Sequence, residues 1–152
     1  MKIKGFVAVA TLIAACSFTL NAQEQGYWRA ASTNAKSITG DITISETRIT
    51  INFAPFTIAS IRALKTAEVA AVFDADVNSG VQGTLYRLSI PSERRFLHKN
   101  TLCGTSDTEW MATFVTGRNL KVAFFSGENV PVLTIDALSN SMDVCGSFTY
   151  TR

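Results

Sequence analysis

The 152-residue chain contains a single histidine, His98, and this scarcity excludes several kinds of active site. The His-Glu-x-x-His zinc motif needs two histidines on one helix face. The Gly-x-Ser-x-Gly motif, which presents a serine nucleophile, does not occur in the sequence either. The 12 acidic residues are scattered, so no pair stands out as the acid and base of a glycosidase. We therefore expect a protein that is not an enzyme and that holds no metal ion or cofactor.

The chain also lacks an apolar run long enough for a membrane-spanning helix, which needs about 20 residues. The longest run, residues 5–20, follows Lys2 and Lys4 and is followed by Leu20-Asn21-Ala22. A short cationic start, an apolar stretch and a small-residue exit are typical of a secretion signal. We interpret residues 1–22 as a signal peptide and residues 23–152 as a single β domain that is periplasmic or extracellular.

A second processing site lies inside the same run. Ile13-Ala14-Ala15-Cys16 is similar to a bacterial lipobox, in which Cys16 would be acylated and become the new N-terminus. Cleavage there would leave the apolar residues 17–20 where a solvated tether is usual. We favour a soluble product cleaved after Ala22, and an outer-membrane lipoprotein attached through Cys16 is the alternative.

Positive and negative charges balance once the leader is removed. Lys2 and Lys4 leave with it, and the remaining basic residues then equal the 12 acidic ones in number. Nucleic-acid binding normally requires a strong positive field that neutralises phosphates. We therefore expect no nucleic-acid partner.

Cysteine is scarce, and two of the three cysteines, Cys103 and Cys145, remain under either cleavage. An even pair in an exported chain usually forms a disulfide. We predict that bond, with two buried free thiols as the alternative.

Alternation of apolar and polar residues is the strongest structural signal in the sequence. In residues 48–53 every second side chain is apolar, and turn residues recur at short intervals between similar runs. This pattern predicts an all-β fold, a small antiparallel barrel or sandwich of roughly eight to ten strands. Phe124 and Phe125 must face opposite sides of one strand, which favours a second core layer. The later apolar sets are Tyr86, Leu88 and Ile90; Trp110, Ala112 and Phe114; Leu120, Val122 and Phe124; Phe148 and Tyr150.

Residues 58–72 fit two structures. They are rich in helix formers, and Ile58, Ile61 and Leu64 have helical spacing, whereas Val69 and its alternate neighbours also fit a strand. We favour the strand, and one short helix within 58–72 is the alternative.

The start of the β domain resembles a known family. Gly26-Tyr27-Trp28 resembles the entry motif of lipocalins, barrels that bind small apolar ligands. The resemblance implies that Trp28 closes one barrel end and that an arginine from late in the chain, Arg118 or Arg152, packs over it. Such a tryptophan is structural, so the resemblance names no ligand-binding residue.

Residues 74–80 resemble a calcium loop because Asp74, Asp76 and Asn78 alternate before Gly80. The glycine comes one position too late, and Leu85 stands where a bidentate acid is needed. We interpret the segment as a polar hairpin turn, since Asp, Asn and Gly are turn residues.

A basic stretch follows Pro91. Arg94, Arg95, His98 and Lys99 form either a solvated loop or a contact for an anion or a protein partner.

Two functions follow from these features. The first is a non-catalytic binding module of the cell envelope that holds a small apolar or amphipathic ligand in an enclosed cavity. The alternative is a protein-interaction module, such as an inhibitor of a secreted hydrolase, that has a filled core and a prominent loop.

Overall fold

The computed structural model describes residues 23–76 and 83–152, so the predictions for the leader at 1–22, including Cys16, lie outside the described residues. Eight antiparallel strands form a closed barrel, in which strands adjacent in the sequence pair and the first strand pairs with the last. This confirms the all-β prediction with the lower of the expected strand numbers. The strands are β1 (Gly26–Ala30), β2 (Ile42–Ile44), β3 (Arg48–Ile51), β4 (Ala54–Ala63), β5 (Gly83–Ile90), β6 (Thr108–Thr116), β7 (Asn119–Phe125) and β8 (Val144–Thr151).

Four short helical elements lie between the strands that the structure describes. They are α1 (Thr66–Phe73), α2 (Ile135–Asn140), a turn at Ala35–Thr39 and a turn at Leu97–Lys99. Thr134 caps α2, because its hydroxyl accepts a hydrogen bond from the Ala137 N–H at 3.3 Å. The sequence analysis did not predict α2.

The antiparallel order divides the connections between two ends of the barrel. We call the end with the β1–β2, β3–β4, β5–β6 and β7–β8 connections the loop end. The opposite end carries residues 23–25, the β2–β3, β4–β5 and β6–β7 connections and Arg152, and we call it the Trp28 end.

Apolar side chains that alternate along the strands fill the barrel. Trp28 packs inside with residues from all eight strands. The sets predicted from β5, β7 and β8 point inward, which accounts for their period-two spacing. The inward set is Trp28, Ile42, Ile44, Ile49, Ile51, Ile58, Tyr86, Leu88, Ile90, Met111, Val115, Leu120, Val122, Phe124, Phe148 and Tyr150.

A second apolar layer covers the outside of β5, β6 and β7. Phe125 lies in this outer layer whereas Phe124 lies in the interior, which confirms the prediction from their opposite directions. Phe73 of α1 stacks on Phe114 with ring centroids 5.6 Å apart. The layer is formed by Leu64, Val69, Phe73, Leu85, Trp110, Ala112, Phe114, Ala123, Phe125 and Leu133.

The segment 58–72 divides between the two structures that its sequence fits. The strand β4 continues to Ala63, and α1 begins at Thr66, so the strand interpretation is wrong for the second half. Glu68 accepts a hydrogen bond from the Lys65 N–H at 2.8 Å and satisfies one free donor at the helix start. Val69 and Phe73, four residues apart, are buried on the outer layer, and that burial favours the helix.

The predicted disulfide between Cys103 and Cys145 is present. It joins Cys103 in the β5–β6 connection to Cys145, the second residue of β8. Two chain segments at the loop end are therefore covalently linked.

Candidate functional site

The barrel interior is the first candidate site, because the ligand-binding hypothesis requires a cavity there. Eight inward side chains have no accessible surface at all. A side chain with no accessible surface borders no void that admits a water-sized probe. The interior around these residues is therefore packed with protein atoms. They are Trp28, Ile49, Ile51, Met111, Leu120, Val122, Phe124 and Tyr150.

Trp28 closes its end of the barrel together with an arginine. The Arg152 guanidinium carbon lies 4.3 Å from the centre of the Trp28 ring, a cation–π distance. The Trp28 indole N–H donates to the Glu24 carbonyl at 2.8 Å, and Arg152 donates to the Gln25 carbonyl at 3.2 Å. Of the two arginines that the sequence offered for this position, Arg152 packs over Trp28. Arg118 instead donates to the main-chain oxygen of Arg152.

A buried carboxylate lies beside Trp28, and sequence reasoning missed it. Glu24 is 3% exposed, and its carboxylate accepts hydrogen bonds from the Tyr86 hydroxyl and from the Thr113 hydroxyl, the latter at 2.7 Å. Burial and the adjacent carboxylate raise the pKa of Tyr86, so its hydroxyl stays a donor at physiological pH. The Glu24 side chain therefore enters the Trp28 end of the barrel and helps to close it, while Gln23 and Gln25 stay exposed.

The predicted basic residues all lie in one exposed loop at the loop end. The Arg94 guanidinium is 5.9 Å from the centre of the Phe56 ring. Arg95 donates to the Ser92 carbonyl at 2.8 Å. His98 and Lys99 have left-handed backbone, with φ of 54° and 62°. Their contact with an anion or a partner stays a prediction.

This loop is held firmly at its base. The buried Phe96 ring lies 6.1 Å from the Phe56 ring, centre to centre. Asn100 donates its side-chain N–H to the Ser37 carbonyl at 3.1 Å, and the disulfide fixes Cys103. The four polar side chains are thus carried on a fixed support, which lowers the entropy that a binding event would have to remove.

An exposed aromatic residue at the same end was missed by the sequence analysis. Phe53 is 96% exposed at the tip of the β3–β4 hairpin, and both turn residues, Asn52 and Phe53, have positive φ, 47° and 64°. A bulky residue in this region is strained, and two-residue hairpin turns of this kind prefer Asn-Gly. The sequence analysis included Phe53 in the alternating run of residues 48–53, whereas β3 ends at Ile51 and Phe53 lies in the turn, where Asn-Gly is usual.

Exposed apolar side chains continue in the β7–β8 connection. Five of the eight large apolar residues that are exposed in the described chain fall between positions 130 and 144. They are Val130, Val132, Ile135, Met142 and Val144.

Comparison with known proteins gives no family for this chain. No family model matches it, and no curated protein or solved structure matches it. The geometry of the candidate sites is therefore the basis on which a function is proposed.

Neither a cluster of metal ligands nor a membrane-spanning helix occurs in the part of the chain that the structure describes. Within residues 23–76 and 83–152, no three His, Cys, Asp or Glu side chains converge as metal ligands. Asp74 ends α1 in a left-handed conformation, and positions 77–80 of the calcium-like segment lie outside the described residues. None of the described helices has the length and apolarity to cross a membrane.

Proposed function

We propose that this protein is a non-catalytic binding module that engages a protein partner through the loop end of its barrel. Phe53 carries the proposal. The positive φ of Phe53 lowers the stability of the folded chain, and its ring, which is 96% exposed, gains almost nothing from burial that would compensate for that strain. Strain of this kind persists in proteins where a binding site requires it.

The surroundings of Phe53 indicate the chemistry of the partner. Aromatic side chains that enter a pocket are the most common anchors of protein interfaces, and arginine is the other frequent one. Phe56, three residues further along the chain, contacts both Phe96 and Arg94, so the hairpin and the basic loop are neighbours. We therefore expect a partner with an apolar pocket for Phe53 and acidic groups for Arg94, Arg95 and Lys99.

The class of partner follows from size and compartment. The leader-like sequence at 1–22 and the disulfide support export, where secreted hydrolases are available as targets. A small rigid barrel with one protruding hairpin suits an inhibitor that inserts an aromatic side chain into an active-site cleft.

The test uses Phe53→Gly, which creates the Asn-Gly pair that this turn prefers. Purified secreted hydrolases are assayed with the wild-type protein, and any enzyme that it inhibits is assayed with the variant. We expect inhibition to weaken roughly 30-fold or more, as for loss of an interface anchor. Ile61→Thr, which removes an exposed apolar side chain of β4 outside the hairpin tip, is the control and should inhibit as the wild type does. Equal inhibition by Phe53→Gly would contradict the proposal.

A second candidate function is a lipocalin-like carrier of a small apolar ligand. It is supported by the closed eight-stranded antiparallel barrel, by Gly26-Tyr27-Trp28 at its start and by Arg152 over Trp28. The packed interior weighs against it. Native mass spectrometry of the protein from an exporting bacterium tests it, because a discrete adduct that is lost on activation would favour the carrier.

A further inference from the structure

A surface cleft lies on the outside of the barrel, beside the seam where β1 meets β8. Its volume is about 380 Å³, and its lining consists of Tyr27 and Arg29 of β1, Arg118 of the β6–β7 turn, Thr151 of β8 and Arg152. Three of the five lining residues are arginines. The cleft is separate from the loop end, to which the proposed function is assigned.

The described residues compensate the positive charge of this cleft only in part. The ion pairs among them are Arg62–Glu68 and Arg87–Glu109, and neither includes a cleft arginine. The Asp41 carboxylate accepts hydrogen bonds from the hydroxyl of Tyr27, which lines the cleft, and from the Ala30 N–H at 2.8 Å. The Tyr27 hydroxyl, the Ala30 N–H and the charge of Arg29 together lower the pKa of Asp41, so this carboxylate offsets part of the charge of Arg29. Arg118 and Arg152 form no ion pair with an Asp or Glu side chain among the described residues.

The arginines keep hydrogen-bonding capacity as well as charge. A guanidinium carries five N–H donors. Arg118 uses its Nε for the main-chain oxygen of Arg152, and Arg152 uses one Nη for the Gln25 carbonyl. Stacking on Trp28 fixes the plane of the Arg152 guanidinium without consuming its in-plane donors.

We propose that this cleft binds a phosphate group carried on a small organic molecule. Guanidinium groups match the geometry of phosphate oxygens with paired hydrogen bonds, and three of them suit a dianion. Clefts that bind small molecules typically have about 300–1,000 Å³, so the observed volume leaves room for a sugar or a glycerol beside the phosphate. Tyr27, which is 55% exposed, supplies an apolar wall for that part.

The test is a titration of the ¹⁵N-labelled protein with glycerol 1-phosphate and with inorganic phosphate, followed by amide chemical shifts. We expect saturable shifts at Arg29, Arg118 and Thr151. Arg29→Gln and Arg118→Gln should each weaken binding about tenfold, the usual effect of losing a charge-assisted hydrogen bond. Arg48→Gln, which removes an exposed arginine of β3 that does not line the cleft, is the matched control and should bind as the wild type does.

Vesicles identify the source of the phosphate. Binding to phosphatidylglycerol vesicles that Arg29→Gln and Arg118→Gln weaken, without binding to phosphatidylcholine, would support a lipid headgroup. Saturable binding of glycerol 1-phosphate without vesicle binding would support a soluble ester. No shifts with any of these probes, or shifts that Arg48→Gln reduces as much as Arg29→Gln does, would overturn the proposal. Because Phe53 does not line the cleft, Phe53→Gly separates the failure of this proposal from the failure of the proposed function.

Discussion

The two ends of the barrel differ in how their polar and apolar side chains are placed. At the Trp28 end, Glu24, Tyr86 and Thr113 pair their polar groups inside the protein, and the Trp28 ring is covered by Arg152. At the loop end, Phe53 lies in solvent on a strained turn. Side chains at one end are arranged for the stability of the folded chain, and side chains at the other end stay available to another molecule.

The distribution of backbone strain makes the same division. Five residues other than glycine have positive φ in the described chain, and four of them, Asn52, Phe53, His98 and Lys99, belong to the loop end. The fifth, Asp74, ends a helix, where left-handed backbone is common. We conclude that substitutions at the two ends should differ in sign as well as in size.

The largest effect is expected at Trp28. Trp28→Ala removes the largest buried side chain of the Trp28 end and leaves Arg152 without its stacking partner. The free energy of unfolding should fall by about 3–5 kcal/mol, measured by urea denaturation. Phe53→Ala at the loop end is the control and should change it by less than about 0.5 kcal/mol. Similar losses for both variants would remove the distinction between the ends.

Glu24 should show an intermediate effect. Glu24→Ala leaves the buried Tyr86 hydroxyl without its carboxylate acceptor, whereas the Thr113 hydroxyl keeps the Thr84 carbonyl at 3.3 Å. The unfolding free energy should fall by about 2 kcal/mol. Glu24→Gln keeps an acceptor oxygen, so it should lose less than Glu24→Ala does. Equal losses would show that packing of the side chain matters and that its hydrogen bonds do not.

At the loop end, a substitution of Phe53 should raise the unfolding free energy where the substitutions at the Trp28 end lower it. Phe53→Gly relieves a left-handed phenylalanine, although the added freedom of glycine in the unfolded chain offsets part of the gain. We expect the unfolding free energy to rise by about 1 kcal/mol and the Tm by about 3 °C in calorimetry. A lower Tm would show that Phe53 stabilises the free protein, and the argument for a partner would then fail.

The smallest effect concerns acid pH. The Tyr27 hydroxyl and the Ala30 N–H lower the pKa of Asp41, and Arg62 lowers the pKa of Glu68. A carboxyl whose pKa is lower in the folded state contributes stability above its unfolded value, near 4, and that stability is lost as the pH falls through the folded pKa.

Asp41→Asn and Glu68→Gln should therefore each flatten the fall in Tm below about pH 4. Asp41 belongs to the β1–β2 connection at the loop end, and Glu68 to α1 in the β4–β5 connection. A fall that stays as steep in both variants would assign acid sensitivity to other carboxyls.

Much of the barrel was predictable, because alternation depends only on which side chains avoid water. The inward direction of Leu120, Val122 and Phe124 and the outward direction of Phe125 follow from the two-residue period. The disulfide followed from the pair of cysteines, Cys103 and Cys145, that lies outside the predicted leader. The change from β4 to α1 was not predictable, since residues 58–72 fit both the strand period and the helix period. Burial of Val69 and Phe73 in the outer layer selects the helix.

The candidate sites were less predictable, because they depend on contacts between distant residues. The sequence offered Arg118 and Arg152 equally for Trp28, and only the β1–β8 pairing distinguishes them. Glu24 follows the predicted leader by two residues, and nothing local indicates that its carboxylate enters the barrel. Phe53 belongs to the alternating run of residues 48–53, so the pattern did not predict its exposed turn, because exposure of an apolar side chain is a property of the folded surface.

The pairing of β1 with β8 has a consequence for how the chain folds. Every other strand pair is a hairpin of neighbours, whereas this pair joins Arg29 to Thr151. Contacts so far apart in sequence form slowly, because the loop must lose its entropy first. The barrel can therefore close only after β8 has been synthesised and is free to pair with β1. The stack of Arg152 on Trp28 and the arginine cleft come into existence in that same step, so Trp28 fluorescence would report the moment at which both are built.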